Sequence, residues 1–387
     1  MNAGLAIRDV EALALAAPLA EPLRWATGEL RERRATLVHV RTANGIEGWG
    51  EAGSHGGVAG LEAVIAKALA PLLIGADAGA PEERWRELYA LARRHDRGGL
   101  LLAAIAGIDM ALWDVAARAI GVSLRTLLGG RARRTVPAYA TGFYLREGVD
   151  PLEAACEEAA AHRASGFCAM KMTIGGRAVR EDLATVAAVR ERMGPDVALM
   201  VDAHRAYELP QARRVLRGLA PLDVRWLEEP LDSGSPTAYR KLRRTAPMPL
   251  AAGESVTELG ELAALVKPSP AVDVLQPSLA VAGGLTPLRG IAAAAKTTRV
   301  TVVPHCSGSA VALAATAQAV ATLRSTGSAG VPPSLELDTT PNPLRSELAA
   351  PLGVHDGLCQ LPHGPGLGVV PDASVVEAYL VRRAAAP

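Results

Sequence analysis

The chain has 387 residues and a formal net charge of +1, so it carries no electrostatic footprint for nucleic acid or an anionic membrane. With 49% hydrophobic residues it can bury the core of one large domain or two ordinary ones. Its cysteines, Cys156, Cys168, Cys306 and Cys359, match no zinc spacing and read as the reduced thiols of a cytoplasmic protein; no apolar run is expected to reach the ~20 residues of a membrane helix.

Near the N-terminus, ALALAAPLA (12–20) has the look of a signal-peptide core. Asp9 and Glu11 flank it and only Arg8 precedes it, so LAIRDVEALAL reads as a first strand instead. Residues 34–52, RATLVHVRTANGIEGWGEA, alternate apolar and polar on both sides of Ala43-Asn44-Gly45, which predicts a β-hairpin. Residues 101–121 repeat apolar positions at three and four and end on Gly121, which predicts a helix with a glycine C-cap. From Val136 the pattern changes. Strands are predicted at 136–140, 168–172, 197–202, 224–229, 249–254, 272–277, 300–305 and 334–338. Helices are predicted between them, near 151–165, 177–193, 208–219, 236–244, 257–267, 284–296 and 309–324. Strict alternation over this length predicts a parallel (β/α)8 barrel. The division expected is an α+β capping domain over 1–133, the barrel over 134–354, and a C-terminal segment, 355–387, returning to the cap.

Barrel active sites gather at the C-terminal ends of the strands. The polar residues closing these strands are Lys171 and Thr173, Asp202 and His204, Glu228 and Glu229, Glu254, Ser278, His305 and Glu336. Asp202, Glu228 and Glu254 recur at 26-residue steps, one βα unit each. Singly, any of the three is more readily a salt-bridge partner for an arginine than a metal ligand. Together at one mouth they would repel each other and raise each other's pKa values, a conflict that a hard divalent cation such as Mg2+ resolves. Lys171 is one of only five lysines, and it stands in a buried run where an ammonium is costly without an anionic partner. A substrate carboxylate would provide one, as would Asp202 alone.

With VDAHRAY, WLEEP, AAGES, Gly283-Gly284, GIEGWGEA, AIAGIDMALWDVAARAIGVSLRTLLGG and the tail DGLCQLPHGPGLGV in order, nearly the whole chain resembles the enolase superfamily, in its mandelate racemase-like branch. The resemblance implies Mg2+ ligands at Asp202, Glu228 and Glu254, a base at His305, and at Glu336 the acid that hydrogen-bonds the substrate carboxylate as an enediolate. It also implies that Lys171 helps hold that carboxylate. The chain departs from the family in three places. Thr173 stands where many members carry a second lysine base. His204 stands where racemases carry asparagine, as in members that dehydrate sugar acids with this histidine as general acid. Ser278 stands where an aspartate usually orients the His base; Asp338 is a substitute for it. Dehydration of an aldonate or aldarate to a 2-keto-3-deoxy acid is therefore expected. The alternatives are a racemase, epimerase or cycloisomerase of another carboxylate, or a sugar-acid binder without turnover. Substrate contacts are expected from Lys171, Thr173, Arg24, Trp25, His55, Arg205 and Ser278, with Tyr144 nearby; an arginine such as Arg24 suits a distal carboxylate. The expected partner is a small carboxylate, not nucleic acid or membrane, and the resemblance implies a homo-oligomer, dimer or octamer.

Overall fold

The computed structural model describes residues 3–53, 59–95, 99–130, 133–325, 327 and 330–385. The first third of the chain builds an antiparallel sheet from β1 (Ile7–Trp25), β2 (Gly28–Thr42) and β3 (Glu47–Ala52). A last strand, β14 (Leu380–Ala385), pairs with β1 and gives the order β14-β1-β2-β3. Both faces of this sheet are covered. Val38 and Val40 pack with Ile105, Ile108 and Leu112 of helix Gly99–Ala119. Leu37 and Trp49 belong to the large core shared with the barrel. With both faces covered, Leu37, Val38 and Val40 are all fully buried, so the alternation in sequence does not divide β2 into a buried and an exposed face.

Helix Gly99–Ala119 is 21 residues long and apolar enough to cross a membrane, against the expectation that no run reached that length. Its apolar window is 89% buried inside the protein, so packing against the sheet and the barrel accounts for its composition. It ends as predicted: Gly121, at φ 70°, closes a C-cap in which Val122 N–H donates to Ala117 O. The sheet comes so close to this helix that a Cβ on Gly50 would lie 2.0 Å from Gly107 O.

The barrel strands are β4 (Thr135–Gly142), β5 (Ala169–Thr173), β6 (Ala198–Asp202), β7 (Val224–Glu228), β8 (Leu250–Ala252), β9 (Val274–Leu275), β10 (Thr301–Val302) and β11 (Leu335–Asp338). Each pairs in parallel with the next from β4 to β10, and β11 pairs back onto β4. Among the described residues no ladder is recorded between β10 and β11. Helices alternate with the strands, and the architecture is a (β/α)8 barrel with an α+β cap. β8, β9 and β10 are shorter than predicted because their last residues leave the ladder at the mouth. The segment after 353 does two things. β12 (Val354–His355) and β13 (Leu358–Gln360) form a hairpin that pairs with β4 of the barrel, while residues 366–369, bonded to Asp114, Arg118, Val122 and Leu124, and β14 meet the cap.

Two buried cap carboxylates fasten the domains together at the N-termini of barrel helices, where the unpaired N–H groups and the helix dipole favour an anion. Asp109 accepts from Thr286 N–H at 2.9 Å and Thr286 Oγ1 at 2.5 Å, in the first turn of helix Leu285–Thr297. Glu51 accepts from Ser309 N–H and Ala312 N–H at the start of helix Ala310–Val320, and from the Ser309 hydroxyl.

Candidate active site

Side chains alternate along each barrel strand, so residues two apart share the interior. Tyr139, Met200, Trp226, Val274 and Val303 form one buried apolar layer. Two positions further along the same runs stand Thr141, Asp202, Glu228, Gln276 and His305. The first layer is a floor, and the layer above it is polar. Lys171 and Glu336 enter at this level, while their neighbours Met170, Met172, Leu335 and Leu337 pack into the cores behind the sheet.

Lys171 is 3% exposed and its ammonium meets three carboxylates: Glu228 Oε1, Glu336 Oε1 at 2.9 Å and Asp202 Oδ2 at 3.4 Å. Burial alone would lower its pKa; Glu228, Glu336 and Asp202 outweigh burial and raise it well above the ordinary lysine value. Glu228 is fully engaged, since Trp226 Nε1 and Gln276 Nε2 donate to its Oε2 at 3.0 and 2.7 Å. Glu336 also accepts from Cys306 N–H at 3.1 Å. Burial pushes its carboxyl up, but Lys171 and then His305 pull it lower, and the balance holds it as an anion. A hydrogen bond from Glu336 to an enediolate, as the resemblance implies, needs a proton that it does not carry in this arrangement.

Asp202 and Glu254 are less fully compensated, since Lys171 lowers both pKa values by less than burial raises them. Burial, then the charge of Glu228, pushes Asp202 well above the usual range. Burial, then Glu229 and Asp202, does the same to Glu254. One oxygen each from Asp202 and Glu254, and one His204 nitrogen, lie within 4.8 Å of one another. Two buried carboxyls that resist ionisation beside each other are the donor set that a hard divalent cation satisfies, so the residues fit Mg2+. The third member of this cluster is His204; Glu228, also expected as a ligand, is bonded to Lys171, Trp226 and Gln276.

His204 follows Asp202 in the left-handed region, with φ 44°. Its N–H donates to Asp202 Oδ1 at 2.9 Å and its Nε2 lies 3.4 Å from Asp202 Oδ2. This turn, rather than a continued strand, keeps the two side chains together. His305 is 5% exposed, with Nε2 at 3.5 Å from Glu254 Oε2. Burial lowers its pKa by more than Glu336 raises it, and Lys171 adds a smaller push downward. The imidazole is therefore held neutral.

A cavity opens above these groups, with Lys171, Thr173, Asp202, His204, Glu254, His305 and Glu336 on its wall. The tip of the β1–β2 hairpin roofs it: Leu23, Trp25, Leu30 and Arg33 line it, and Thr27 Oγ1 donates to His204 O at 3.2 Å. Trp25 lies 6.1 Å, ring to ring, from both His204 and Tyr144. Thr173 donates to Gly142 O at 3.1 Å.

Three expected contacts are not on this wall. Arg24 is tied to Glu29 at 2.5 Å and Glu147 at 3.1 Å, because its register on β1 turns it away from the cavity. Arg205 is drawn to Glu229 at 3.4 Å and is 45% exposed at its side chain. Ser278 is buried behind the site, in the turn where its carbonyl accepts from Ala282 N–H. Asp338 does line the cavity, but as a partner of Arg33 at 2.9 Å, with Arg345 at 3.7 Å. His55 lies outside the described residues. Sequence reasoning missed Gln276, Arg33, Ser307 and Asn342. Gln276 had a readable signal, since it stands two after the interior Val274.

Comparison with known proteins agrees with this geometry. Residues 7–129 match the Mandelate racemase / muconate lactonizing enzyme N-terminal domain, and residues 154–375 match the Enolase C-terminal domain-like family. A D-galactarolactone cycloisomerase from Agrobacterium fabrum is 38% identical, over 90% of this chain and 92% of its own. An arabinonate dehydratase from Saccharolobus solfataricus is 30% identical, over 88% of this chain and 89% of its own. Among solved structures, an L-talarate dehydratase from Polaromonas sp., complexed with Mg and L-glucarate, superposes with a TM-score of 0.87 at 28% identity, over 98% of each chain. The chain belongs to the enolase superfamily, in its mandelate racemase-like branch.

Proposed function

We propose that the protein removes the proton α to the carboxylate of a sugar acid and expels the β-hydroxyl as water, leaving a 2-keto-3-deoxy acid. The observation that supports this reading best is the state of Lys171. Three carboxylates hold it as an ammonium, so it can bind charge but cannot accept a proton. Thr173, two residues on, offers no base either. Proton traffic then falls to the two histidines on the cavity wall.

The neutral His305 imidazole accepts the α-proton. Lys171 faces the substrate carboxylate as negative charge moves onto it. His204, beside Asp202, gives its proton to the departing hydroxyl, so that the C–O bond breaks to release water. The enol that remains tautomerises to the keto acid, and the histidines return to their starting states by exchange with solvent. Asp202 and Glu254, with Glu228 completing the set, would hold Mg2+, which would supply positive charge for the substrate's carboxylate oxygens.

The test is a 2-keto acid assay over a library of sugar acids with Mg2+, run beside His305→Asn and His204→Asn. Product from the unmodified protein, lost in both variants, is the expected outcome. No keto product, with solvent deuterium appearing in recovered acid, would reject elimination in favour of a racemase. The 38% identical cycloisomerase favours a second reading. A ring oxygen would replace the hydroxyl as leaving group, and the product would keep the mass of the substrate. A sensor without turnover is less well supported, because the relatives named above are enzymes. We also propose a homo-oligomer, dimer or octamer, in the cytoplasm; light scattering of the purified protein checks the assembly.

A further inference from the structure

The floor of the cavity can receive one carboxylate. The remaining question is what its far wall receives, and charge on that wall answers it. Arg33 is 6% exposed. Its Nε donates to Pro341 O at 3.1 Å and its guanidinium pairs with Asp338 at 2.9 Å. Arg345 shares Asp338 and donates to Gly308 O at 3.1 Å. The buried Glu51 bonds the same 308–312 turn from the other side. Arg33, the guanidinium on the lining, is thus matched by Asp338. Arg34, also on the lining, is bonded to Glu32 at 2.6 Å. Lys171 is already surrounded by carboxylates. Among the described residues, every lysine and arginine on the cavity wall is matched by an acidic side chain. Arg24, the residue most suited in sequence to a second carboxylate, is outside the cavity.

What the far wall offers instead is neutral hydrogen bonding. Asn342 is 7% exposed and lines the cavity. Its Nδ2 donates to Gly308 O at 3.3 Å, while its Oδ1 is buried with no partner. The Ser307 hydroxyl, on the same lining, is likewise buried and unpartnered. An amide oxygen needs a donor, and a serine hydroxyl can donate or accept. Leu23, Leu30 and Leu344 complete this side with apolar surface. A hydroxyl satisfies Asn342 and Ser307; a carboxylate would repel the Asn342 oxygen and find no unmatched cation.

We propose that the site selects sugar acids with a single carboxylate, whose neutral, hydroxyl-bearing end is received by Asn342, Ser307 and the Arg33–Asp338 pair. The proposal rests on the sugar-acid reading above and deepens it. It covers two sources of the same chemistry: an open-chain aldonate, and a diacid whose second carboxyl is closed as a lactone.

The test compares matched sets of equal stereochemistry: aldonate, aldarate and aldarolactone, each with saturating Mg2+ and the full-length protein. The expected result is conversion of the aldonate or the lactone, with kcat/KM for the free aldarate at least ~100-fold lower, the penalty for an unpartnered buried charge. Asn342→Ala and Ser307→Ala should raise KM for the converted acid ~10-fold while lowering kcat less. Asp338→Asn, by leaving Arg33 and Arg345 in excess, should narrow the preference over the aldarate ~10-fold. An aldarate converted as well as its aldonate and its lactone would overturn the proposal. If none of the acids is converted, the elimination reading fails by itself, and calorimetric binding of the same sets decides this one. Tighter binding of the single carboxylate upholds it; equal or tighter binding of the diacid, or no binding by any, overturns it.

Discussion

Replacing Lys171 with methionine keeps the length of the side chain and deletes its charge. Glu228, Glu336 and Asp202 would then face one another with no ammonium between them. Removing one partner of a buried ion pair costs about 3–5 kcal/mol. Unfolding entropy near 2.1 cal/mol/K per residue, over 387 residues, is roughly 0.8 kcal/mol/K, so Tm should fall by about 4–6 °C. The sign with pH follows from the acids left behind. Lys171 lowers the pKa of both Asp202 and Glu336, so its loss raises both. The deficit should therefore be largest above neutral pH and shrink as pH falls and they take up protons. Scanning calorimetry at pH 5.5 and 8 reads both effects. Loss of the group facing the substrate carboxylate should also lower kcat by about 10²–10³. A variant with unchanged Tm at pH 8 and unchanged kcat would refute the assignment of Lys171 as the charge on which this site is built.

Burial pushes the Asp109 carboxyl up to about 7 against the bonds from Thr286 that favour its anion. A raised carboxyl contributes stability that is full below about pH 4 and is lost as pH rises through 7, a difference on the order of 4 kcal/mol. Asp109→Asn should flatten that part of the Tm–pH curve, and parallel curves for the two proteins would count against it. A Cβ at position 50 would sit 2.0 Å from Gly107 O, so Gly50→Ala should destabilise the cap by about 3 kcal/mol, seen as faster hydrogen exchange in β2 and β3. The exposed helical Gly290, with nothing within 4 Å of its Cβ position, is the control: alanine there should stabilise by about 0.5–1 kcal/mol. Mg2+ at about 100 times its Kd should raise stability by about 2.7 kcal/mol, or roughly 3 °C. Asp202→Asn with Glu254→Gln should abolish that rise.

The barrel was legible because each strand is a short apolar run closed by a polar residue, and the closing residue sits at the mouth by geometry alone. Lys171, Asp202, His204, Glu254, His305 and Glu336 were read in this way, and all of them line one cavity. The roof was not legible. Pro18 and Pro22 interrupt the pattern of β1, and the register slips between Pro18 and Leu23. Arg24 and Arg33, both in an arginine-rich hairpin, could not be told apart without knowing which faces inward. Asn342 carries no pattern at all, because it follows β11 in a loop whose course is set by contacts with residues far away in sequence. Glu228 illustrates a different limit: its position in the strand was right, but its partners, Trp226 and Gln276, decide which way its oxygens point.

The pairing of β14 with β1 has a consequence for how the protein comes into being. The cap sheet is begun by β1, which is translated before the barrel, and its outer strand, Leu380–Ala385, follows Trp25 by about 350 residues. At roughly 5–20 residues per second, β1 waits between about 20 and 70 s for its neighbour. Through that interval it presents an open edge of backbone donors and acceptors, available to any other extended segment. The cap sheet, begun before the barrel is translated, is thus completed only after it, and for that time its protection depends on what shelters nascent chains in the cell.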